Sequence, residues 1–296
     1  MIFRVRHTTQ FQYQSPAYES HNELRLRPID DCAQLVLSFK LEVSPEGSVY
    51  EYRDYFGNRV HSVSIYPPHD VLMVVANSVV ERLPEFGGRP LSISFDRYLT
   101  DDEARTRQNC EFLADSRYVP FSQRLRKFFW MARPRRNEDV GEYVTRIVEF
   151  IRDQFGYDTA TTNVHSSLDE ILSAGGGVCQ DFAHLTLGVL RLAGIPARYV
   201  SGYLAPEPGV EPAPGTQASH AWLEALLPGL GWTGFDPTHR CRTDIRYIRI
   251  AVGRDYADAT PIRGVYRSAA GHNTMTVDLK VSTANPAPGV TGQSQQ

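Results

Sequence analysis

Long hydrophobic runs are absent from this chain of 296 residues, and without a run of about eighteen uncharged apolar residues there is no candidate membrane-spanning helix. The first residues, Met1 to His7, alternate charged and apolar side chains and lack the apolar segment of a secretory signal peptide. We therefore predict a cytoplasmic protein with no membrane partner.

Cysteine is scarce as well. The four cysteines, Cys32, Cys110, Cys179 and Cys241, are too few and too scattered for a disulfide scaffold in a chain of this size. No two of them form a CxxC motif. This pattern favours a reducing compartment.

An excess of charge of either sign is also missing, since the formal net charge is −3 and the pI is near 6.3. This balance gives no reason to expect nucleic acid or an anionic membrane surface as a partner. We interpret the basic cluster from Arg133 to Arg136 as a solvated turn between helices. The composition, 42% hydrophobic and 22% charged, is typical of a globular protein, and the length favours two domains.

The first ninety residues carry a period-two alternation of apolar and polar side chains. It runs through Ile2–His7, Leu35–Val43 and Val60–Ile65, and a Gly57-Asn58 step suits a hairpin loop. We predict an all-β, sandwich-like domain over residues 1–90. No catalytic constellation occurs there, because its histidines lie apart, at His7, His21, His61 and His69.

Beyond the break at Pro84–Pro90 the periodicity changes to that of helices and then returns to strands. The predicted helices cover 101–113, 122–131, 137–155 with Asn137 as N-cap, and 167–173. Predicted strands follow between Ala197 and Val281. We assign residues 91–284 to an α+β catalytic core and the Pro-, Gly- and Ser-rich tail 285–296 to disorder.

A glycine-rich turn, Gly175-Gly176-Gly177-Val178, delivers Cys179 to the start of a predicted amphipathic helix over Gln180–Ala193. The unpaired N–H groups and the dipole of a helix start favour negative charge, which prepares a thiol to act as a nucleophile. The alternative is that Cys179 is a small buried hydrophobe.

A predicted hairpin supplies partners for this cysteine. If its register is centred on Pro228, His220 lies directly opposite Asp236 and Gly234 lies opposite Trp222. Opposed Cβ atoms are roughly 4.5–5.5 Å apart, close enough for a carboxylate to orient an imidazole. The parts of a Cys179-His220-Asp236 triad are therefore present.

Each member has a structural alternative. His220 could be an ordinary strand residue, and Asp236 could be a turn residue before Pro237. A zinc site that uses Cys179, His184, His220 or Cys241 is conceivable, but the spacings match no established ligand pattern.

Four blocks of sequence resemble the bacterial transglutaminase-like superfamily, which has a papain-like fold. They are Gly177–Leu185, Gly194–Tyr203, Ser219–Trp222 and Gly231–Thr238, and the preceding strands resemble the β-rich region of bacterial members. The resemblance implies that Cys179 is the nucleophile, His220 the general base and Asp236 its orienter. One departure is His239, where members often have Asn. No acidic ion-binding loop occurs, so neither a metal nor another cofactor is implied.

These residues predict a cysteine-dependent hydrolase that cleaves amides of a peptide or protein substrate through a thioacyl-enzyme. The backbone N–H of Cys179 would stabilise the oxyanion, and Tyr157 is a candidate second donor, with a structural aromatic as the alternative. The loop Ala205–Gly215 suits a lid or a stiff connector equally well. The sequence predicts neither the acyl acceptor nor the oligomeric state.

Three alternatives stay open. A transglutaminase would pass the acyl group to an amine. An arylamine acetyltransferase has a similar triad order, but its cysteine lies much nearer the N-terminus. A non-enzymatic module would bind a peptide or partner, although such cores often lose a triad member and this chain keeps all three.

Overall fold

The structure is a computed structural model that describes residues 1–84, 91–100, 108–158, 166–207, 218–269 and 271–284. The strands are β1 (Ile2–Leu24), β2 (Gln34–Ser44), β3 (Ser48–Arg53), β4 (Arg59–Ile65), β5 (His69–Arg82), β6 (Gly156–Tyr157), β7 (Gly176–Gly177), β8 (Ala197–Leu204), β9 (Ser219–Leu227), β10 (Gly231–Asp236), β11 (Cys241–Arg242), β12 (Tyr247–Gly253), β13 (Ile262–Arg267) and β14 (Asn273–Ala284). The helices are α1 (Phe95–Thr100), α2 (Gln123–Ala132), α3 (Val140–Gln154), α4 (Leu168–Ala174), α5 (Cys179–Leu192) and α6 (Tyr256–Ala259), with a 3-10 turn at Cys110–Phe112.

Four predictions fall wholly or largely outside the described residues. They are the break at Pro84–Pro90 between the two predicted domains, the helix over 101–113, the loop after Leu204 with its alternative role as a lid, and the disordered tail 285–296. Within the described ranges, no helix combines the length and the apolar character needed to cross a bilayer.

Strand β1 organises an all-β region because its two halves pair in different sheets. Residues 2–12 pair antiparallel with β5 and β14, whereas residues near 18–24 pair with β4 and β13. Side chains alternate as predicted, so that Phe3 and Val5 are buried while Arg4 and Arg6 are exposed. The predicted all-β, sandwich-like region is thereby confirmed.

The last strand lies in an unexpected place. The prediction that Met275–Val281 belongs to the sheet of the core is wrong, because β14 pairs with β1 along its whole length. Alternation of side chains predicts that a strand forms but not which neighbour it takes. Leu279 of β14 joins Phe3 in a cluster with Tyr203 and Ile248 of the core sheet, so an apolar interface joins the two regions.

The α+β core packs its helices on a five-stranded antiparallel sheet in the order β11-β10-β9-β8-β12. Helix α5 lies against β8 and β9, and nearly all of its residues are buried. The alternate residues Ala221 and Leu223 of β9 enter the same core as Phe182 of α5. The predicted α+β core is confirmed, with α5 at its centre.

Helix α3 begins later than the sequence predicts. Its N-cap is Asp139, not Asn137, and Asp139 Oδ1 accepts hydrogen bonds from the N–H groups of Gly141 at 2.8 Å and Glu142 at 3.2 Å. Asn137 instead has a φ of +58° in the preceding turn. Both residue types are good N-caps, so the sequence alone does not distinguish two candidates two residues apart.

Two buried side-chain amides attach the all-β region to β12. Asn58 donates to the carbonyl of Val252 and accepts from its N–H, both at 2.8 Å. Gln34 makes the same pair of bonds with Arg249, at 2.8 and 2.9 Å. Strand β12 lies at the edge of the core sheet. Each amide bonds to both the N–H and the carbonyl of one of its residues, as the backbone of a neighbouring strand would, and so fixes β12 against the all-β region.

Acidification should destabilise the fold through two buried histidines. His184 accepts a hydrogen bond from the Tyr256 N–H at 3.1 Å, and burial lowers its pKa to about 3. His7 contacts the Tyr203 hydroxyl at 2.8 Å, and burial lowers its pKa to about 4. An unfolded chain binds these protons near pH 6.5 and the native chain only below these values, so stability falls as pH drops through this window.

We expect the free energy of unfolding, measured with urea, to decrease between about pH 6.5 and 4.5 by up to about 1.4 kcal/mol per pH unit for each histidine. The variant His7→Gln should show a shallower slope, whereas His21→Gln, at an exposed position, should keep the wild-type slope. Equal slopes in all three proteins would contradict this assignment.

Candidate active site

The cysteine turn is built from glycine and a helix-capping carboxylate. Helix α4 is capped at its C-terminus by Gly175, which has a φ of +71°, and α5 then begins at Cys179. Asp181 Oδ2 accepts the Val178 N–H at 2.9 Å, which closes the turn. A Cβ at Gly177 would lie 2.5 Å from the same Oδ2 atom, so this position requires glycine. The prediction that Cys179 starts a helix is confirmed.

The hairpin that carries the histidine and the aspartate forms with a different register from the predicted one. Its turn is centred on Gly229, with a φ of +72°, and Gly234 pairs with Glu224. The pairings of His220 with Asp236 and of Gly234 with Trp222 are therefore wrong. Moving the centre of a turn by one residue shifts the register by two and leaves each side chain on its predicted face.

Gly202, rather than Gly234, provides the room for the indole of Trp222. A Cβ at Gly202 would lie 2.5 Å from the indole ring. Strand β8 pairs with β9 so that Gly202 is directly opposite His220. The glycine therefore lets a large aromatic ring pack beside the histidine, and the two rings stack with centroids 6.1 Å apart.

Asp236 is completely buried and accepts more hydrogen bonds than the sequence predicts. Its Oδ2 atom receives His220 Nε2 at 2.7 Å, His239 Nδ1 at 2.6 Å and the Tyr247 hydroxyl at 2.8 Å. Its Oδ1 atom receives the Thr238 N–H at 2.8 Å. Burial alone would raise the pKa of Asp236, but the two histidines hold it well below its usual range. The group is therefore a carboxylate, which fixes both imidazoles as donors toward it.

The bond to Asp236 therefore fixes the orientation of the His220 ring and leaves its other ring nitrogen for a second partner. Its Nε2 atom binds Asp236, which leaves Nδ1 for the thiol of Cys179, with which His220 is hydrogen bonded. Burial lowers the pKa of His220, but the bonds to Asp236 and Cys179 outweigh it and raise the pKa to about 10. A protonated imidazole at this position can give its proton to a leaving group.

His239 and Tyr247 are the neighbours that sequence reasoning missed. From the sequence, His239 is noted only as a departure from the family pattern, and Tyr247 is noted only as part of a predicted strand. His239 lies only three residues after Asp236, so a turn after the strand could have been used to predict that its imidazole lies near the carboxylate. Tyr247 comes from β12, and only the tertiary structure brings its hydroxyl to the carboxylate.

Tyr157 lies at the same site, on the short strand β6. That strand runs parallel to β7, so Tyr157 pairs with Gly177 just before the cysteine turn. Its side chain is 48% exposed. Burial, with the nearby Cys179 and Asp236, raises the pKa of Tyr157, so the phenol keeps its proton and can donate it in a hydrogen bond.

These residues meet at an open cleft of about 660 Å³. The lining comprises Tyr157, Cys179, Leu204, Ala205, Pro206, Glu207, Ala218, Ser219, His220, His239, Cys241, Arg246 and Tyr247. The cleft thus joins two thiols, two imidazoles and two phenols. His184 does not line it, because its ring packs between Tyr118 and Tyr199.

One group of side chains in the described ranges has the spacing of a metal site. The nitrogen and oxygen atoms of His220, Asp236 and His239 lie within 4.8 Å of one another. The hydrogen bonds between these residues account for the short distances, since both imidazoles bond to the same Oδ2 atom. The three side chains therefore satisfy one another's hydrogen-bonding atoms and form an acid-base cluster.

The site places a thiol at the start of a helix beside an imidazole on an antiparallel sheet, and this arrangement is typical of the papain-like class of folds. Residues 3–81 match the family model described as the bacterial transglutaminase-like N-terminal region, and residues 131–237 match the transglutaminase-like superfamily. The chain belongs to the transglutaminase-like superfamily.

Similar proteins cover most of the chain. An uncharacterized protein of Mycobacterium leprae, ML0607, is 36% identical over 284 residues, which span 94% of this chain and 98% of that protein. A crystal structure from Cytophaga hutchinsonii, of a protein provisionally named a cysteine protease, has a TM-score of 0.74 at 24% identity and covers 97% of this chain and 93% of that one. A protein-glutamine gamma-glutamyltransferase of Pseudomonas aeruginosa is 38% identical over 77 residues, 24% of this chain and 11% of that protein.

Proposed function

We propose that this protein is a cysteine-dependent hydrolase that cleaves peptide or isopeptide amide bonds, with Cys179, His220 and Asp236 as its catalytic triad. One observation carries the proposal. A fully buried carboxylate holds His220 at 2.7 Å, and that imidazole is in turn hydrogen bonded to the thiol of Cys179 at the wall of an open cleft. A nucleophile, a base and a group that orients the base are the parts that covalent acyl transfer requires.

The reaction would proceed in two halves. The Cys179 sulfur attacks the amide carbonyl carbon, the C–N bond breaks, and His220 gives its proton to the leaving amine. His220 then takes a proton from water, the resulting hydroxide attacks the thioacyl carbon, and the C–S bond breaks to release the acid. The backbone N–H of Cys179 and the Tyr157 hydroxyl would donate hydrogen bonds to the oxyanion in both halves.

Transfer to an amine is the second candidate, favoured by the local similarity to a protein-glutamine gamma-glutamyltransferase. The same thioacyl group would then be attacked by a lysine amine in place of water. We place hydrolysis first because an open cleft admits water and needs no separate site for an acceptor. Incorporation of a fluorescent primary amine into a glutamine peptide, at the expense of the free acid, would favour transfer.

Alkylation of Cys179 by iodoacetamide, followed by peptide mass spectrometry, tests the proposal without a known substrate. At about pH 6 we expect Cys179 in His220→Ala to react roughly tenfold more slowly than in the wild type, because the paired imidazole is lost. Cys32 and Cys110 are exposed free thiols and provide internal standards whose rates should not change. Equal rates at Cys179 in both proteins would contradict a coupled thiol and imidazole.

A further inference from the structure

A basic stretch of the chain stands out against its negative net charge. From Ser116 to Asn137 the sequence contains seven lysines and arginines and no aspartate or glutamate. This stretch includes α2 and the turn that leads to α3. The net charge of the whole chain does not reveal this stretch. The expectation that no anionic surface is a partner depends on that net charge and on the interpretation of Arg133–Arg136 as a solvated turn.

Two large apolar side chains project from the end of this helix. Trp130 is 64% exposed and Met131 is 66% exposed, while their neighbour Ala132 is buried in the core. A cavity of about 680 Å³ opens beside them, and it is lined by Trp130, Met131, Arg133, Pro134, Arg135, Arg136 and Arg146. The two side chains and the cavity form an apolar surface bordered by arginines.

Cations surround these two side chains. Lys127 lies one helical turn before Met131, and Arg133, Arg135 and Arg136 follow it. We call Lys127, Trp130, Met131, Arg133, Arg135 and Arg136 the basic-aromatic patch. The Arg133 guanidinium lies 5.3 Å from the centre of the Trp130 ring. Within the described part of the chain, neither Lys127 nor Arg136 forms an ion pair with a carboxylate.

We infer that the basic-aromatic patch docks the protein on a lipid bilayer that contains anionic headgroups. Tryptophan prefers the boundary between headgroups and acyl chains, where its ring is in an apolar environment and its N–H can still bond to water or headgroups. Met131 gains from the same apolar environment, and it has no comparable use in stacking on nucleic-acid bases. The surrounding cations would contact the headgroup phosphates.

The patch and the cleft are separate. The cavity beside the patch is lined by residues of α2, the turn that follows it and Arg146 of α3. The cleft is lined by Tyr157, beyond the end of α3, and shares none of these residues. Docking would therefore hold the protein at a membrane surface while the cleft stays open to substrate, and this inference stands whether or not the cleft is catalytic.

Cosedimentation with lipid vesicles tests the inference on the full chain. We expect binding to vesicles of phosphatidylcholine mixed with phosphatidylglycerol, weakened by high salt, and no binding to phosphatidylcholine alone. The double variant Lys127→Gln/Arg136→Gln should bind about 25-fold more weakly, because each cation near such a surface contributes about fivefold. Trp130→Ala should also weaken binding, and the blue shift of tryptophan emission on vesicles should disappear, because Trp222 is buried and Trp232 is partly covered.

The double variant Arg4→Gln/Arg6→Gln is the matched control. It removes two exposed cations from the all-β region and should bind vesicles as the wild type does. An equal loss in this control would mean non-specific charge attraction and overturn the inference. Failure to bind the mixed vesicles would overturn it too, as would retention on a single-stranded oligonucleotide or an acidic peptide with no binding to vesicles.

Discussion

A Cys179→Ala variant is expected to lose at least about 10³-fold in amide hydrolysis while it keeps its fold. Without the sulfur no thioacyl-enzyme can form, and the remaining hydrogen-bond donors would supply only the residual rate seen when a triad nucleophile is removed. Mass spectrometry of a synthetic peptide mixture measures the loss, because each cleavage creates two new termini. The fold should persist, since the cysteine side chain is small and only partly buried.

Two further variants make this test specific. Cys110→Ala removes an exposed thiol and should hydrolyse the peptides at the wild-type rate. Asp236→Ala should weaken hydrolysis without abolishing it, because the thiol remains while the imidazole loses the group that orients it. Full turnover by Cys179→Ala would show that the proposed mechanism is wrong.

Replacing Glu224 by Gln is expected to lower the free energy of unfolding by about 3–5 kcal/mol, as for other buried ion pairs that lose one partner. Glu224 is only 3% exposed and lies between two arginines. Its Oε2 atom accepts Arg198 Nε at 2.7 Å, and its Oε1 atom accepts Arg249 Nη1 at 3.2 Å. Burial would raise the pKa of Glu224, but the two guanidinium groups lower it. Glu224 is therefore a carboxylate at neutral pH, and its replacement by Gln removes a negative charge.

The neighbours explain why this loss should be large. Arg198 also lies over the Trp232 ring at 4.4 Å, which keeps its guanidinium beside the new amide. Arg249 keeps Asp31 as a partner at 2.5 Å, so the loss falls mainly on Arg198. Urea unfolding at neutral pH measures the effect, with Glu149→Gln on the exposed side of α3 as the matched control, expected to change stability by less than about 0.5 kcal/mol. A loss below about 1 kcal/mol in Glu224→Gln would indicate that water reaches the arginines.

Local patterns predict the elements of this fold better than their partners. Residues 179–192 form a helix because apolar side chains recur at its spacing, and the strands alternate because one face of each is buried. The partner of β14 could not be read in this way, since any strand with exposed edges can accept another. In the folded chain Leu279 of β14 packs in one apolar cluster with Phe3 of β1 and Ile248 of the core sheet, and no local pattern encodes contacts so distant in sequence.

For the site too, local patterns predict where the residues lie but not which partners they take. The sequence places Cys179, His220 and Asp236 at the correct element ends and on the correct faces, and even the wrong register preserved the faces because side chains alternate with a period of two. The bonds that make Asp236 a buried carboxylate come partly from Tyr247, on a strand that pairs with β8 rather than with the hairpin. Burial and shared hydrogen bonds are properties of the assembled sheet, and they could not be derived from spacing.

The pairing of β1 with β14 makes the α+β core an insertion within the all-β region. Ile2 pairs with Ala284, so β1 can complete this pairing only when β14 is present, and the residues of the core lie between the two strands in sequence. Contacts so distant in sequence slow folding, although the entropy of closing such a loop grows only with the logarithm of its length. A cut near residue 90 would therefore leave two fragments, and each would expose an unpaired strand edge where the intact chain has a continuous sheet.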